Sequence, residues 1–332
     1  MKKIFLLFCC LLSTLLLNCS DSNTTQPVNT ADISVTNLKP LNSQVEGVYE
    51  AWVSVETSLD HDDEAYRSLG RFNIASNGSL IDTLGNPFSL KISRIGNINL
   101  TEDALITIEP PGDNDTLPGN IKFLGGAKNV QGNSIVFNMA MNYSEILGNI
   151  ALQFSTASAE YLLASPSTGD SNQFNRGIWF SKTTSGPTVP GLTLPTIPDT
   201  LDWTYQGWVI DSTNTSWLYN IGRFNASLEV DDYQQCQFNP PAQTWPVPGN
   251  DWIQPNCPGG GLPDITNLNS GIYRLLITLE PRFEQGSALL KPFYIQLFYG
   301  NLLPGTYGTV LSLPNVSAGT MPSAVIRLSV SN

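Results

Sequence analysis

Residues 271–281, GIYRLLITLEP, alternate apolar and polar side chains with a period of two. Tyr273, Leu275, Ile277 and Leu279 fall on one face, and Arg274, Thr278 and Glu280 on the other. That alternation predicts a half-buried β-strand. ALITIEP, at 104–110, predicts another. SIVFNMAM, at 134–141, sets Ile135, Phe137, Met139 and Met141 on one side, and FYIQLFY, at 293–299, does the same with Phe293, Ile295, Leu297 and Tyr299. Turn signals separate such runs: NG at 77–78, GN at 85–86, PPGDND at 110–115 and PG at 304–305. Beyond the first residues, no stretch sustains an apolar 3.6-residue period, although MAMNYSEILGNIA accommodates one helical turn. The expectation is an all-β chain packed as two-layer β-sandwiches.

The strands recur in order. YEAWV (49–53) matches YQGWV (205–209), and LGRFNIAS (69–76) matches IGRFNASL (221–228). ALITIEP matches LLITLEP (275–281), and NIKFLGG (120–126) loosely matches YIQLFYG (294–300). This order predicts two tandem β-sandwich domains, 46–182 and 201–332. Pro187, Pro190, Pro195 and Pro198 make 183–200 a semi-rigid linker. Gly70 and Glu109 are 39 residues apart, whereas Gly222 and Glu280 are 58 apart, so the second unit carries 19 extra residues. Cys236 and Cys257 both lie in this insert.

The first 18 residues form an export signal: Lys2 and Lys3 precede the apolar run 4–17, which has 14 residues, fewer than the roughly 20 that span a bilayer. LLNC (16–19) is similar to the lipobox of bacterial lipoproteins, although Asn18 replaces the usual small residue. Cys19 is then the lipidation site, and 19–45 a polar tether. Plain secretion is the alternative. A lipoprotein belongs in the bacterial cell envelope, with the outer membrane or cell surface favoured over the inner membrane. In an exported chain, Cys236 and Cys257 are expected to form a disulfide, stabilising the insert by about 3 kcal/mol through chain entropy. A metal site is the weaker alternative for them, because the insert has no His. Loss of Lys2 and Lys3 moves the net charge from −12 to −14. With no basic patch, nucleic acid is excluded as a partner.

Y-x-x-W-V, then G-R-F, then I-T-[IL]-E-P resembles the extracytoplasmic domain of anti-sigma-K-type factors. The resemblance covers nearly all of 46–300 and extends to exported bacterial proteins that carry the domain twice. It implies a β-sandwich outside the cytoplasm. It does not imply direct sigma-factor inhibition, because the cytoplasmic domain and membrane helix of those factors have no counterpart here.

Trp52, Arg71 and Glu109 recur as Trp208, Arg223 and Glu280. Read chemically, each Glu is a poised acid or base. Read structurally, it pairs with Arg across strands, Arg71 with Glu109 and Arg223 with Glu280, or accepts backbone N–H groups before its proline. The structural reading is preferred, because no accompanying base or nucleophile recurs. The matched tryptophans are expected in the core. Trp245 and Trp252, on the insert, either pack it down or form a binding surface. DHDDE (60–64) contains the only histidine, His61, and reads as a solvated hairpin tip; its spacing is not that of an EF-hand. No catalytic residue, cofactor or metal is expected. The chain reads as a non-enzymatic envelope protein with a binding, sensing or scaffolding role, its ligand or protein partner undefined. The alternative is a hydrolase acting on glycans through paired carboxylates.

Overall fold

The computed structural model describes residues 30–56, 64–164, 177–183, 188–232, 246–249, 251–252, 267–282, 291–304 and 308–330. Strand makes up 47% and helix 9%, so the fold is mostly β. The first half contains β1 (Thr30–Thr36), β2 (Val48–Glu56), β3 (Glu64–Ile74), β4 (Leu80–Asp82), β5 (Thr101–Glu109), β6 (Ile121–Gln131) and β7 (Ser134–Ala140). A short helix, α1 (Asn149–Gln153), leads to β8 (Ala159–Leu163) and β9 (Gly177–Trp179). The second half contains β10 (Trp203–Asp211), β11 (Leu218–Phe224), β12 (Asp251–Trp252), β13 (Tyr273–Pro281), β14 (Gln296–Asn301) and β15 (Leu311–Leu313), then α2 (Ser317–Thr320) and β16 (Ser323–Ser329).

Among the described residues the strands form three antiparallel sheets. The largest has eight strands in the order β1-β16-β7-β6-β5-β2-β3-β4. A four-stranded sheet runs β11-β10-β13-β14, and another runs β12-β9-β8-β15. The section β3-β2-β5-β6 has the same order as β11-β10-β13-β14, and these are the strands that carry the sequence matches.

The registers correspond as well. Ala51 faces Gly70 and Trp52 faces Ser68, which leaves Leu69 as the extra residue of a bulge. Gly207 faces Gly222 and Trp208 faces Asn220, which leaves Ile221 extra. Gly70 and Gly222 take φ of 125° and 128°, a backbone state disfavoured by a Cβ, so G-R-F begins with glycine both times. A second matched bulge leaves Phe123 extra opposite Ile106 and Thr107, and Leu297 extra opposite Ile277 and Thr278. Each bulge lets two nearby residues reach the same face. Leu69 and Phe72, Phe123 and Leu124, Ile221 and Phe224, and Leu297 and Phe298 all join the core. Strict alternation puts Tyr299 with Leu297; the bulge instead turns it outward, where its hydroxyl accepts from Arg274 Nη1 at 2.7 Å.

The two halves share one cluster of buried apolar side chains. Phe123 packs against Trp203 and Phe293, with ring centroids 5.8 and 6.3 Å away. Trp203 Nε1 donates to the Lys122 carbonyl at 3.2 Å, and the Tyr49 and Tyr294 hydroxyls lie 2.8 Å apart. Segments expected to act as tether and linker contribute too. Ala31, Ile33 and Val35 of β1 pack on the core, as Leu38 and Leu41 do. Leu192, Leu194 and Ile197 are buried within 183–200. Prolines make that segment extended, but its apolar residues gain more from burial than from water. β16, from the second half, sits between β1 and β7 of the first.

Phe123→Ala removes a fully buried ring where the halves meet. It is expected to cost about 3–5 kcal/mol. Urea unfolding followed by tryptophan fluorescence should show one transition at lower urea, without separation into two.

Candidate functional site

Strands β2, β5, β10 and β13 are buried on both faces. On β2, Tyr49, Ala51 and Val53 join the core, while Glu50, Trp52 and Ser54 are buried on the opposite side. On β10, Tyr205 and Val209 face the core, with Thr204, Gln206 and Trp208 buried behind. Buried polar groups need partners, and both outer faces use the same arrangement.

Trp52 Nε1 donates to Thr107 Oγ1 at 2.8 Å. The Thr107 hydroxyl donates to Glu109 Oε1, which also accepts the Gly119 N–H at 2.9 Å. In the second half, Trp208 Nε1 donates to Thr278 Oγ1 at 3.1 Å, the Thr278 hydroxyl donates to Glu280 Oε1, and the Phe293 N–H reaches the same oxygen at 2.8 Å. Each chain ties a strand to its neighbour and then to the following loop. Trp52 and Trp208 are thus buried on the outer face, outside the shared core cluster.

Neither Arg71 nor Arg223 forms an ion pair with the Glu that recurs with it. Arg71 Nε lies 2.5 Å from Glu50 Oε2, and its Nη2 lies 2.6 Å from Asp113 Oδ2. Arg71 Nη1 donates to the Asp113 carbonyl, and the Ser68 hydroxyl donates to Glu50 Oε1. Arg223 instead donates from Nε to Gln206 Oε1 at 3.2 Å, and Gln206 Nε2 donates to Asn220 Oδ1 at 2.9 Å. Glu50 and Gln206 hold the same place in their sheets, as do Ser68 and Asn220. An acid is thus replaced by an amide. Burial pulls Arg71 down, but the hydrogen bond and charge of Glu50, with Asp113, outweigh it and hold the guanidinium above its ordinary pKa. At Arg223 burial prevails and lowers it.

Burial pushes the Glu280 carboxyl up to about 7, against the Thr278 hydroxyl, the Phe293 N–H and Arg223, which favour its charged form. Burial raises Glu109 in the same way. Among their hydrogen-bond partners neither has a second acid or a histidine, and the hydroxyl that each holds, Thr107 or Thr278, is fully buried and accepts a Trp N–H.

Above β2 and β3 lies an open groove of about 760 Å³. Glu50, Trp52, Ser68 and Arg71 line it together with Tyr66, Phe88 and Lys91, and residues 114–116 form part of its rim. Its carboxylates already accept hydrogen bonds. Glu50 serves Ser68 and Arg71; Asp82 accepts the Leu84 and Asn86 N–H groups; Asp115 accepts the Leu117 N–H. Those backbone bonds hold Asp82 below its usual pKa. Over the second sheet the space beside Arg223 is about 230 Å³.

Cys19, Cys236, Cys257, Trp245 and His61 lie outside the described residues. The backbone of Trp252 is in β12, where it faces Gly177 of β9. Among the described residues no group of three His, Cys, Asp or Glu gathers to hold a metal, and no helix is long and apolar enough to cross a membrane. Sequence reasoning missed Glu50, Thr107, Gln206 and Thr278. A signal existed: Y-E-A-W and Y-Q-G-W place a polar residue at the same step, and I-T-I-E and I-T-L-E repeat the threonine. No protein-family model, curated protein or solved structure matches this chain.

Folding moves the Glu280 pKa from 4.5 to about 7, so the folded state prefers the protonated acid. Its stabilisation is complete below pH 4.5, falls as pH rises towards 7 and is then lost, a loss of roughly 3 kcal/mol by linkage. Glu280→Gln should flatten this part of the stability–pH curve, measured by thermal melts between pH 4 and 8.

Proposed function

We propose that this chain is a non-enzymatic binding protein of the bacterial cell envelope, held to a membrane by a lipid on Cys19 after loss of residues 1–18. Two tandem copies of a β-sandwich unit are its ancestral plan, with the matched four-strand sheets as their remnants. The reading draws on the export signal, the lipobox-like LLNC, and the resemblance to the anti-sigma-K extracytoplasmic domain. Its acidic charge makes nucleic acid a poor partner. The single observation that carries it is that every carboxylate lining the larger groove is already an acceptor for its own sheet or loops. General acid–base work needs a carboxyl within reach of a substrate proton. A groove built from committed carboxylates, with Tyr66, Phe88 and Lys91 beside them, suits recognition better than turnover.

The second reading, a hydrolase of envelope glycans, draws on the size of the groove over the first sheet, about 760 Å³, against about 230 Å³ beside Arg223 over the second.

The purified chain lacking residues 1–18 should co-sediment with isolated envelope polymer and release no reducing ends. Steady release that Glu50→Gln abolishes would establish the hydrolase, and absence of capture by any envelope fraction would remove the binding reading. In cells given a fatty-acid probe, the full chain should take up label, and Cys19→Ser should lose it.

A further inference from the structure

A strand at the end of a sheet presents unpaired N–H and C=O groups unless something covers its edge. At one end of the largest sheet, β4 has three residues, and the chain after it folds back along them: the Asn86 carbonyl accepts the Asp82 N–H at 2.8 Å, and the Leu80 carbonyl accepts the Phe88 N–H at 3.1 Å. The outer edge of β14 is met by 314–316, where the Pro314 carbonyl accepts the Tyr299 N–H at 3.1 Å and the Leu297 carbonyl accepts the Val316 N–H at 2.9 Å. β1, at the other end of the largest sheet, differs. It has seven residues, TADISVT, and among the described residues its backbone pairs with β16 alone. It carries no Lys, no Pro and no bulge, the features that blunt an edge. Its core-side row is also unfinished. Ala324, Ile326 and Leu328 of β16 are 3%, 0% and 0% exposed, whereas Val35, Ile33 and Ala31, directly across from them, stay only half-buried.

We propose that this edge pairs with the same edge of a second copy of the chain, antiparallel about a two-fold axis at Ile33. A two-fold interface must be self-complementary, and TADISVT matches its own reverse in chemical type. Thr30 then faces Thr36 of the second copy, Ala31 faces Val35, Asp32 faces Ser34, and Ile33 faces Ile33. The half-buried row of Ala31, Ile33 and Val35 continues into an identical row, which covers its exposed side. On the other face polar meets polar. Asp32, the one charged residue of β1, meets a hydroxyl across the new seam and Arg327 of β16 on its other flank. Charge also fixes the register. A one-residue slip would turn the apolar row to the wrong face. A two-residue slip towards the N-terminus would set Asp32 against Asp32. The largest sheets of the two copies become continuous. β2 and β3, beneath the larger groove, lie towards the opposite end of the sheet, so the groove stays open. This pairing goes beyond the binding role proposed above and does not depend on it.

The test is sedimentation velocity on the chain lacking residues 1–18 and carrying Cys19→Ser, which removes a thiol able to link copies. One edge pair is a small interface, so monomer and dimer should exchange with a dissociation constant on the order of 100 μM. Ser34 is exposed and faces Asp32 of the second copy twice in each dimer. Ser34→Asp sets like charges across the seam and should weaken the dimer about fivefold; Ser34→Lys sets opposite charges there and should tighten it about fivefold. The gain from Ser34→Lys should fade in high salt. Circular dichroism checks that both variants fold, and either one alone decides the matter if the other does not. A monomer at every concentration overturns the pairing. So does a dimer that neither substitution changes, or one that Ser34→Lys weakens.

Discussion

The constraint that governs this molecule is that the central strands of its two matched sheets, β2, β5, β10 and β13, are buried on both sides. An antiparallel sheet with one wet face can leave its outer side chains to water. Here Glu50, Trp52, Thr107 and Glu109 are buried, and so are Gln206, Trp208, Thr278 and Glu280. Each polar atom taken from water needs a partner inside the protein. The Trp–Thr–Glu chain is the answer found twice. A Trp N–H, donor only, ends on a hydroxyl; the hydroxyl donates onward to an acid; the acid receives the N–H of the next segment. The short strand spacing and the matched bulges bring these groups into line, so geometry and polar bookkeeping depend on one another.

Within that common arrangement the halves differ in a few side chains. Glu50 holds in one sheet the place that Gln206 holds in the other, and Ser68 the place of Asn220. The swap of acid for amide moves charge without moving the backbone, because both side chains accept from the following arginine. Asp113, from the turn after β5, completes the first arginine. The outer surfaces differ accordingly, in groove size and in the electrostatic state of the arginine.

Much of the strand pattern was legible. Period-two alternation located Tyr273, Leu275, Ile277 and Leu279 on the core side, and Ile135, Phe137, Met139 and Met141 likewise. The matched segments recur as sheets of the same order, but their neighbours were not legible: pairing Arg71 with Glu109 would set β3 beside β5, and β2 lies between them. Bulges were not legible, because one extra residue in a ladder leaves no mark in composition; Tyr299 therefore landed on the opposite face from Leu297. The arginine partners were also missed. Glu109 recurs more visibly than Glu50, yet distance along a sheet decides pairing, and Glu50 is the one directly across from Arg71 in the register. The segments read as tether and linker gave the least warning. Serine, threonine and proline dominate them, and the few aliphatic residues that seat them, such as Ile33 and Leu194, look incidental until a core exists to receive them.

β16 has a consequence for how the chain must assemble. It is the last of the described strands, yet it fills an interior lane of the largest sheet, with β1 on one flank and β7 on the other. As the polypeptide is delivered N-terminus first, β7 is complete at residue 140, while its neighbour begins at residue 323. Until then β1 has nothing to zip onto and one margin of the sheet stays bare. The large sheet is therefore completed late, through a closure between remote parts of the sequence, which is slow by its topology and leaves the edge of β7 open in the meantime.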